Sequence, residues 1–225
     1  MYVHVNVESS VFHPADLSEK VFTFLSTSNT PSVKLSSQER DLNLTAMTVC
    51  LRYHSVLTRG QSLFSLATPS NTNDLLLYKT AIGAYRLHVG RAALDIDYLE
   101  ENKNDWNSVC WTWDSGFGLT VLWLNGKRSA RKVLMQGHTV AGRPSIVLGQ
   151  EQDTYGGGFD QKQSFEGDIT DVHFWSEVIS PCEIRLYMEG YEYAPGNLLN
   201  WASLDYDKQG SVFVDQNDCD KMTCF

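Results

Sequence analysis

The 225-residue sequence predicts an all-β protein built as an antiparallel two-layer sandwich. Three observations carry this reading. The apolar runs are short, rich in β-branched and aromatic residues, and separated by turn residues. No long helical pattern alternates with them, which disfavours a parallel α/β sheet. Asn125-Gly126 directly follows the apolar run Leu119 to Leu124 and supplies the positive φ angles of a tight hairpin.

Taken along the chain, strands are expected at Val21-Phe22-Thr23-Phe24, Met47 to Tyr53, Leu63 to Leu66 and Leu75 to Tyr78. Tyr85 to Val89 alternates as Tyr-Arg-Leu-His-Val. Val109 to Trp113, Leu119 to Leu124, Ile146 to Leu148 and Ile169 to Trp175 complete the set. One short helix breaks the pattern between Ser180 and Gly190. Ser180 caps it, Pro181 suits its first turn, and Gly190 ends it. Ile184, Tyr187 and Met188 form its apolar face. There is no internal repeat, low-complexity segment or interior linker, so the chain reads as one domain with polar ends.

A hydrophobic content of 42% and an aromatic content of 12% supply a core and argue against disorder. The net charge of −9 disfavours nucleic-acid binding, which needs clustered Lys and Arg. The basic run Lys127, Arg128, Arg131 and Lys132 reads as solvated surface. An acidic balance suits a cation as partner. No stretch approaches the roughly 18 apolar residues of a membrane span. Met1 to Val7 shows no signal peptide, so a secreted form is expected to have lost its leader.

Five cysteines are present, with no Cys-x-x-Cys pair and no zinc-ligand spacing. Cys50 and Cys110 sit in strand contexts, where they either bridge neighbouring strands or stay as buried thiols. Cys219 and Cys224 lie in a polar tail and can close a short loop. The count is odd, so one thiol, among them Cys182, is left over or pairs between chains. The sequon Asn43-Leu44-Thr45 fits a secreted chain.

The chemistry concentrates in Gly149-Gln150-Glu151-Gln152-Asp153-Thr154-Tyr155-Gly156-Gly157-Gly158-Phe159-Asp160-Gln161-Lys162-Gln163. Glu151, Asp153 and Asp160 are close carboxylates that repel unless a positive charge lies between them. Hard oxygen donors without His or Cys point to calcium. Three consecutive glycines let the backbone fold back so that both ends of the loop face one ion. On the residues alone, a solvated acidic loop remains the alternative.

The run Leu148 to Gly157 resembles the calcium loop of the pentraxin family. Ser108-Val109-Cys110-Trp111-Thr112-Trp113-Asp114-Ser115 is similar to the family signature His-x-Cys-x-Ser/Thr-Trp-x-Ser/Thr, with Ser108 in place of the His. Phe22-Thr23-Phe24, Thr48-Val49-Cys50-Leu51, Phe64-Ser65-Leu66-Ala67-Thr68, Trp123-Leu124-Asn125-Gly126-Lys127 and Leu199-Asn200-Trp201 match in the same order. The chain is thus identified as a short pentraxin, with an extension over 1–19, a pentraxin domain over 20–216 and a Cys-containing tail over 217–225.

The resemblance implies a lectin-like jelly-roll sandwich with one helix packed on a sheet, and a disulfide carried by Cys50 and Cys110. It implies two calcium ions per subunit. Glu151 and Asp153 bridge both, Gln152 gives its backbone carbonyl and Asn73 its side chain to the first, and Asp160 and Gln163 complete the second. Thr72-Asn73 stands where the family has Asp-Asn, which predicts weaker binding at the first ion, with Asp74 as a possible compensating ligand. The implied ligands are phosphocholine, phosphoethanolamine and acidic glycans on microbial or damaged cells, with Leu76, Tyr78 and His88 lining a side pocket. A secreted innate-immune protein is implied, assembled as a cyclic homo-oligomer with five subunits the family default. The resemblance implies complement C1q or Fc receptors as effectors of the opposite face; Tyr187 matches a complement-contact position, whereas Asn125 stands where an Asp is implied, which weakens the complement contact.

Two rivals stand beside this. An enzyme on a jelly roll needs paired carboxylates flanking a sugar bond. Glu151-Gln152-Asp153 has no second Glu soon after it, and no Gly-x-Ser-x-Gly or His-Glu-x-x-His is present, so catalysis is not expected. A laminin-G-like or long-pentraxin-type adhesion module shares the sandwich and is the alternative function.

Overall fold

The computed structural model describes residues 14–217. The strands, in chain order, begin with β1 (Lys20–Phe24), β2 (Ser32–Ser36), β3 (Leu42–Leu44), β4 (Ala46–His54), β5 (Gln61–Thr68) and β6 (Asn71–Ala81). There follow β7 (Ala84–Val89), β8 (Ala92–Ile96), β9 (Asn107–Asp114), β10 (Leu119–Leu124), β11 (Lys127–Arg128) and β12 (Lys132–Val133). The remainder are β13 (Val140–Gly142), β14 (Ser145–Leu148), β15 (Gly167–Trp175), helix α1 (Pro181–Met188), β16 (Asp205–Gln209) and β17 (Val212–Gln216).

Two antiparallel sheets face each other. The first runs β11-β10-β9-β4-β15-β1-β17, with β12 also paired to β10; the second runs β16-β2-β14-β5-β6-β7-β8. A small ladder joins β13 to β3. Alternation explains the layering. Val49, Leu51 and Tyr53 of β4 and Leu75 and Leu77 of β6 enter the shared core, while Cys50 joins a separate cluster on the outer face of the first sheet. Each expected strand lies within one of these elements. The strands that sequence pattern missed, such as β2, β3, β16 and β17, are short, edge-placed or polar on one face, so their apolar period is too brief to register.

The hairpin is as expected, with φ of 49° at Asn125 and 79° at Gly126. So is the helix. The Ser180 hydroxyl accepts from the Glu183 amide while the Glu183 carboxylate accepts from the Ser180 amide, a reciprocal cap. Ile184, Tyr187 and Met188 are its buried residues. They pack on Trp123, Trp175 and the Cys50–Cys110 disulfide. Register places Cys50 directly opposite Cys110, with Cα atoms 4.1 Å apart. Cys182 is an exposed free thiol; Cys219 and Cys224 lie outside the described residues.

A buried polar network fastens the helix to the first sheet. Arg52 Nε donates to Asp171 Oδ2 at 3.0 Å, and its other nitrogens donate to the carbonyls of Tyr187 and Met188. Tyr193 donates to Asp171 Oδ1 at 3.0 Å and lies 2.9 Å from His173 Nε2. Burial alone raises the Asp171 carboxyl, but bonding and charge from His173 and Arg52 outweigh it and hold it below its ordinary value. Tyr187 is fully buried. It therefore supports this face from beneath and presents no surface to an effector. No helix among the described residues is long and apolar enough to cross a membrane.

Candidate functional site

The acidic loop lies on the outer face of the second sheet, on the opposite side of the sandwich from α1. It leaves β14 at Gly149, whose φ of 83° is one that L side chains rarely adopt. A Cβ there would meet the Phe24 ring at 2.3 Å, so the residue must be Gly.

Two buried glutamines anchor the loop. Gln150 Nε2 donates to the carbonyls of Ser28 and Pro31, both at 2.8 Å. Gln152 Nε2 donates to the carbonyls of Ser145 and Ser65, and Gln152 Oε1 accepts from the Gly156 amide. The Gln152 side chain is thus a brace, which leaves its backbone carbonyl as the atom offered to a ligand. Thr154 and Gly157 exchange backbone bonds and close a tight turn that carries Tyr155.

The turn at Gln161–Gln163 starts at Asp160, whose carboxylate accepts from the Lys162 amide. Arg59 holds its far end. Its Nη1 donates to the carbonyls of Gly60 at 2.7 Å, Lys162 at 3.1 Å and Ser164 at 2.7 Å. No sequence pattern marks Arg59. A lone Arg in Thr58-Arg59-Gly60, more than a hundred positions from Lys162 and Ser164, carries no local signal.

At the centre, Asn73 Nδ2 donates to Glu151 Oε1 at 2.6 Å. Asn73 Oδ1, Glu151 Oε2 and Gln163 Oε1 are buried and have no hydrogen-bond partner. Three oxygens left bare in one place are costly unless something positive meets them. The electrostatics agree. Burial first, then the charges of Asp153 and Asp160, push the Glu151 carboxyl up, against the hydrogen bond from Asn73 and the nearby amide of Gln163. The structure therefore brings Asn73, Glu151, Asp153, Asp160 and Gln163 into one electrostatic neighbourhood. Among the described residues no three His, Cys, Asp or Glu side chains form a metal cluster by themselves; the set here is mixed, carboxylates completed by carboxamides. Hard oxygens of this kind fit calcium.

Asp74 is engaged elsewhere. Its Oδ1 lies 2.6 Å from His138 Nε2 and its Oδ2 accepts from the Thr68 hydroxyl at 2.8 Å. The compensating role expected of it is replaced by this buried pairing, because the carboxylate is already satisfied.

Beside the loop, Leu76 is only 3% exposed and offers little contact area, whereas Tyr78 and His88 are half-buried. Tyr78 packs on the backbone of Gly60, where a Cβ would meet its hydroxyl at 2.4 Å. Burial raises its hydroxyl, which also feels the charges of Arg59, Glu151, Asp160 and Arg86. Tyr78 therefore stands between the acidic loop and the outer strands.

A jelly-roll-like sandwich with a helix on one face and a braced acidic loop on the other defines the class, and comparison agrees. A model of the Pentaxin family matches residues 20–216. The chain belongs to the pentraxin family. It is 42% identical over 214 residues to the serum amyloid P-component of Rattus norvegicus, covering 95% of this chain and 92% of that protein. It is 39% identical over 206 residues to the C-reactive protein of Sus scrofa, covering 92% and 91%. The native heptameric SAP-like pentraxin from Limulus polyphemus superposes with a TM-score of 0.81 at 23% identity, over 93% of this chain and 99% of that one.

Proposed function

We propose that this pentraxin is a secreted, calcium-dependent pattern-recognition protein that binds anionic ligands, not a catalyst. The observation that carries the reading is the trio of buried, partnerless oxygens on Asn73, Glu151 and Gln163, flanked by Asp153 and Asp160. Asn73, Glu151, Asp153 and the Gln152 carbonyl would hold a first ion; Glu151, Asp153, Asp160 and Gln163 would hold a second. Calcium bound there supplies open coordination positions to phosphate or carboxylate oxygen.

The chain's own residues do the positioning. Asn73 orients one Glu151 oxygen and leaves the other free. Gln150 and Gln152 hold the entry of the loop, and Arg59 holds its exit. Tyr78 offers a half-buried aromatic surface to whatever hangs from the bound acid. Thr72 supplies a hydroxyl where the family has a carboxylate, so the first ion is held more weakly.

Ligand classes include phosphoethanolamine, phosphocholine and acidic glycans. A cyclic homo-oligomer would multiply such weak sites on repetitive surfaces. Similarity to a pentraxin described as heptameric, and to serum amyloid P-component, supports a ring. Complement C1q or Fc receptors remain the proposed effector class for the helix-bearing face.

Titration calorimetry with calcium, with and without phosphoethanolamine and phosphocholine, tests the reading. Calcium uptake is expected, abolished in the Glu151→Gln/Asp153→Asn double variant, with ligand heat only when calcium is present. Absence of uptake at millimolar calcium would sink it.

A further inference from the structure

The outer face of the second sheet carries a charge pair that the reading above leaves unused. Cross-strand register orders its side chains outward from the acidic loop. Ser62 and Ser65 of β5 contact Gln150 and Gln152. Opposite them on β6 stand Tyr78 and Leu76, then Arg86 and His88 on β7, then Asp95 and Ala93 on β8. Each step is one strand, about 4.8 Å. A ligand tail running from the loop over this face meets Tyr78, then Arg86, and Asp95 last.

Arg86 Nε donates to Asp95 Oδ1 at 2.7 Å and Arg86 Nη2 to Asp95 Oδ2 at 2.8 Å. Both side chains are about half exposed, 47% and 48%. Both oxygens of Asp95 are occupied, while Arg86 Nη1 makes no hydrogen bond among the described residues and keeps its donors for a ligand. In the neighbouring row, Ala93 brings no charge. Burial first, then the Arg86 charge, hold His88 below its ordinary value, so its ring is neutral at neutral pH.

A quaternary ammonium is attracted to an aromatic face and to an uncompensated negative charge, and is repelled by a guanidinium. Tyr78 provides the face, but the carboxylate of these rows is already neutralised and lies one strand farther out than the guanidinium. An acid group meets the opposite situation, since a guanidinium favours a carboxylate or sulfate by charge-assisted hydrogen bonds. We infer that Arg86 is a specificity-determining residue, selecting ligands that carry a second acid group beyond the calcium-held one over ligands that end in a quaternary ammonium. The inference rests on the calcium-and-anion reading of the loop.

The test uses three phosphate monoesters that differ in their tails: phosphoglycolate, phosphoethanolamine and phosphocholine. Each is titrated calorimetrically into the full chain with saturating calcium. Wild type is expected to prefer phosphoglycolate over phosphocholine by about fivefold, the size of one exposed charge contact. Arg86→Gln leaves Asp95 unpaired and should reverse the order. Asp95→Asn frees Arg86 and should tighten phosphoglycolate further. Calcium affinity without ligand and the thermal midpoint should be unchanged in both variants, since both side chains are exposed. A wild-type preference for phosphocholine, or an order that survives Arg86→Gln, overturns the inference while leaving calcium-dependent binding standing. Loss of all calcium-dependent binding in wild type defeats the loop reading and the inference with it.

Discussion

Position 72 tests the calcium reading most directly, because the resemblance implies a carboxylate where this chain has Thr72. Thr72 is followed by Asn73, whose amide already orients Glu151. Adding a carboxylate raises the charge count of the site, and affinity for calcium follows ligand charge. Thr72→Asp is expected to tighten calcium binding about tenfold by calorimetry, an order of magnitude within the range that ligand charge spans. Arg59 makes the complementary case. Its guanidinium satisfies three carbonyls around the end of the loop. Arg59→Ala strands them and should cost roughly 1–3 kcal/mol in urea unfolding. It should also speed amide exchange at residues 161–164 while leaving the helix-bearing face protected.

Helix α1 is short and depends on what lies beneath it. Its docking rests on Ile184, Tyr187 and Met188 and on Arg52 and Asp171. Asp171→Asn removes the carboxylate that Arg52 Nε meets at 3.0 Å, and breaking a buried pair costs roughly 3–5 kcal/mol. Acid should act on the same contact. The folded Asp171 carboxyl lies below its unfolded value, so its contribution is present above about pH 4 and lost as pH falls through the folded value. Near-ultraviolet dichroism from Trp123, Trp175 and Tyr187 would report the helix coming away. In β3, alternation buries Leu42 and Leu44 and turns Asn43 outward. Thr45 is exposed as well. Expression through a secretory pathway is therefore expected to yield a glycan at Asn43, seen as a mass shift that Asn43→Gln removes.

The two sheets are held by a core that includes groups able to ionise. Tyr53 and Tyr85 share a hydrogen bond of 2.5 Å between their hydroxyls, and the buried Lys79–Glu101 pair lies beside them. Burial foremost pushes Tyr53, Tyr85, Tyr187 and Tyr193 above the ordinary phenol value. For such raised groups the folded state is favoured fully below the unfolded value, about 10, and that advantage is lost as pH rises past it. Thermal midpoints should accordingly fall steeply above about pH 10. The Cys50–Cys110 bridge spans 60 residues of sequence. By loop-closure entropy, its reduction should cost about 4 kcal/mol.

Much of this molecule is legible in its sequence. Short apolar runs rich in β-branched and aromatic residues mark the long strands, Asn125-Gly126 marks a hairpin, and Ser180-Pro181 with Gly190 bounds a helix, because each signal is written within a few neighbouring residues. The donor chemistry of Glu151, Asp153 and Asp160 was legible for the same reason. Other facts needed the fold. That Asn73 meets Glu151, that Asp74 turns to His138, that Arg59 clamps the end of the loop and that Tyr187 is wholly covered all depend on register between distant strands. Register is decided by how two sheets bury their inner faces together, and irregularities such as those in β5 and β6 shift it where no local pattern tells. The sequence by itself determined which groups the protein owns and which short segments they ride on; the tertiary structure alone decided which of them touch, because contact between residues a hundred positions apart is a property of packing and not of neighbours in the chain.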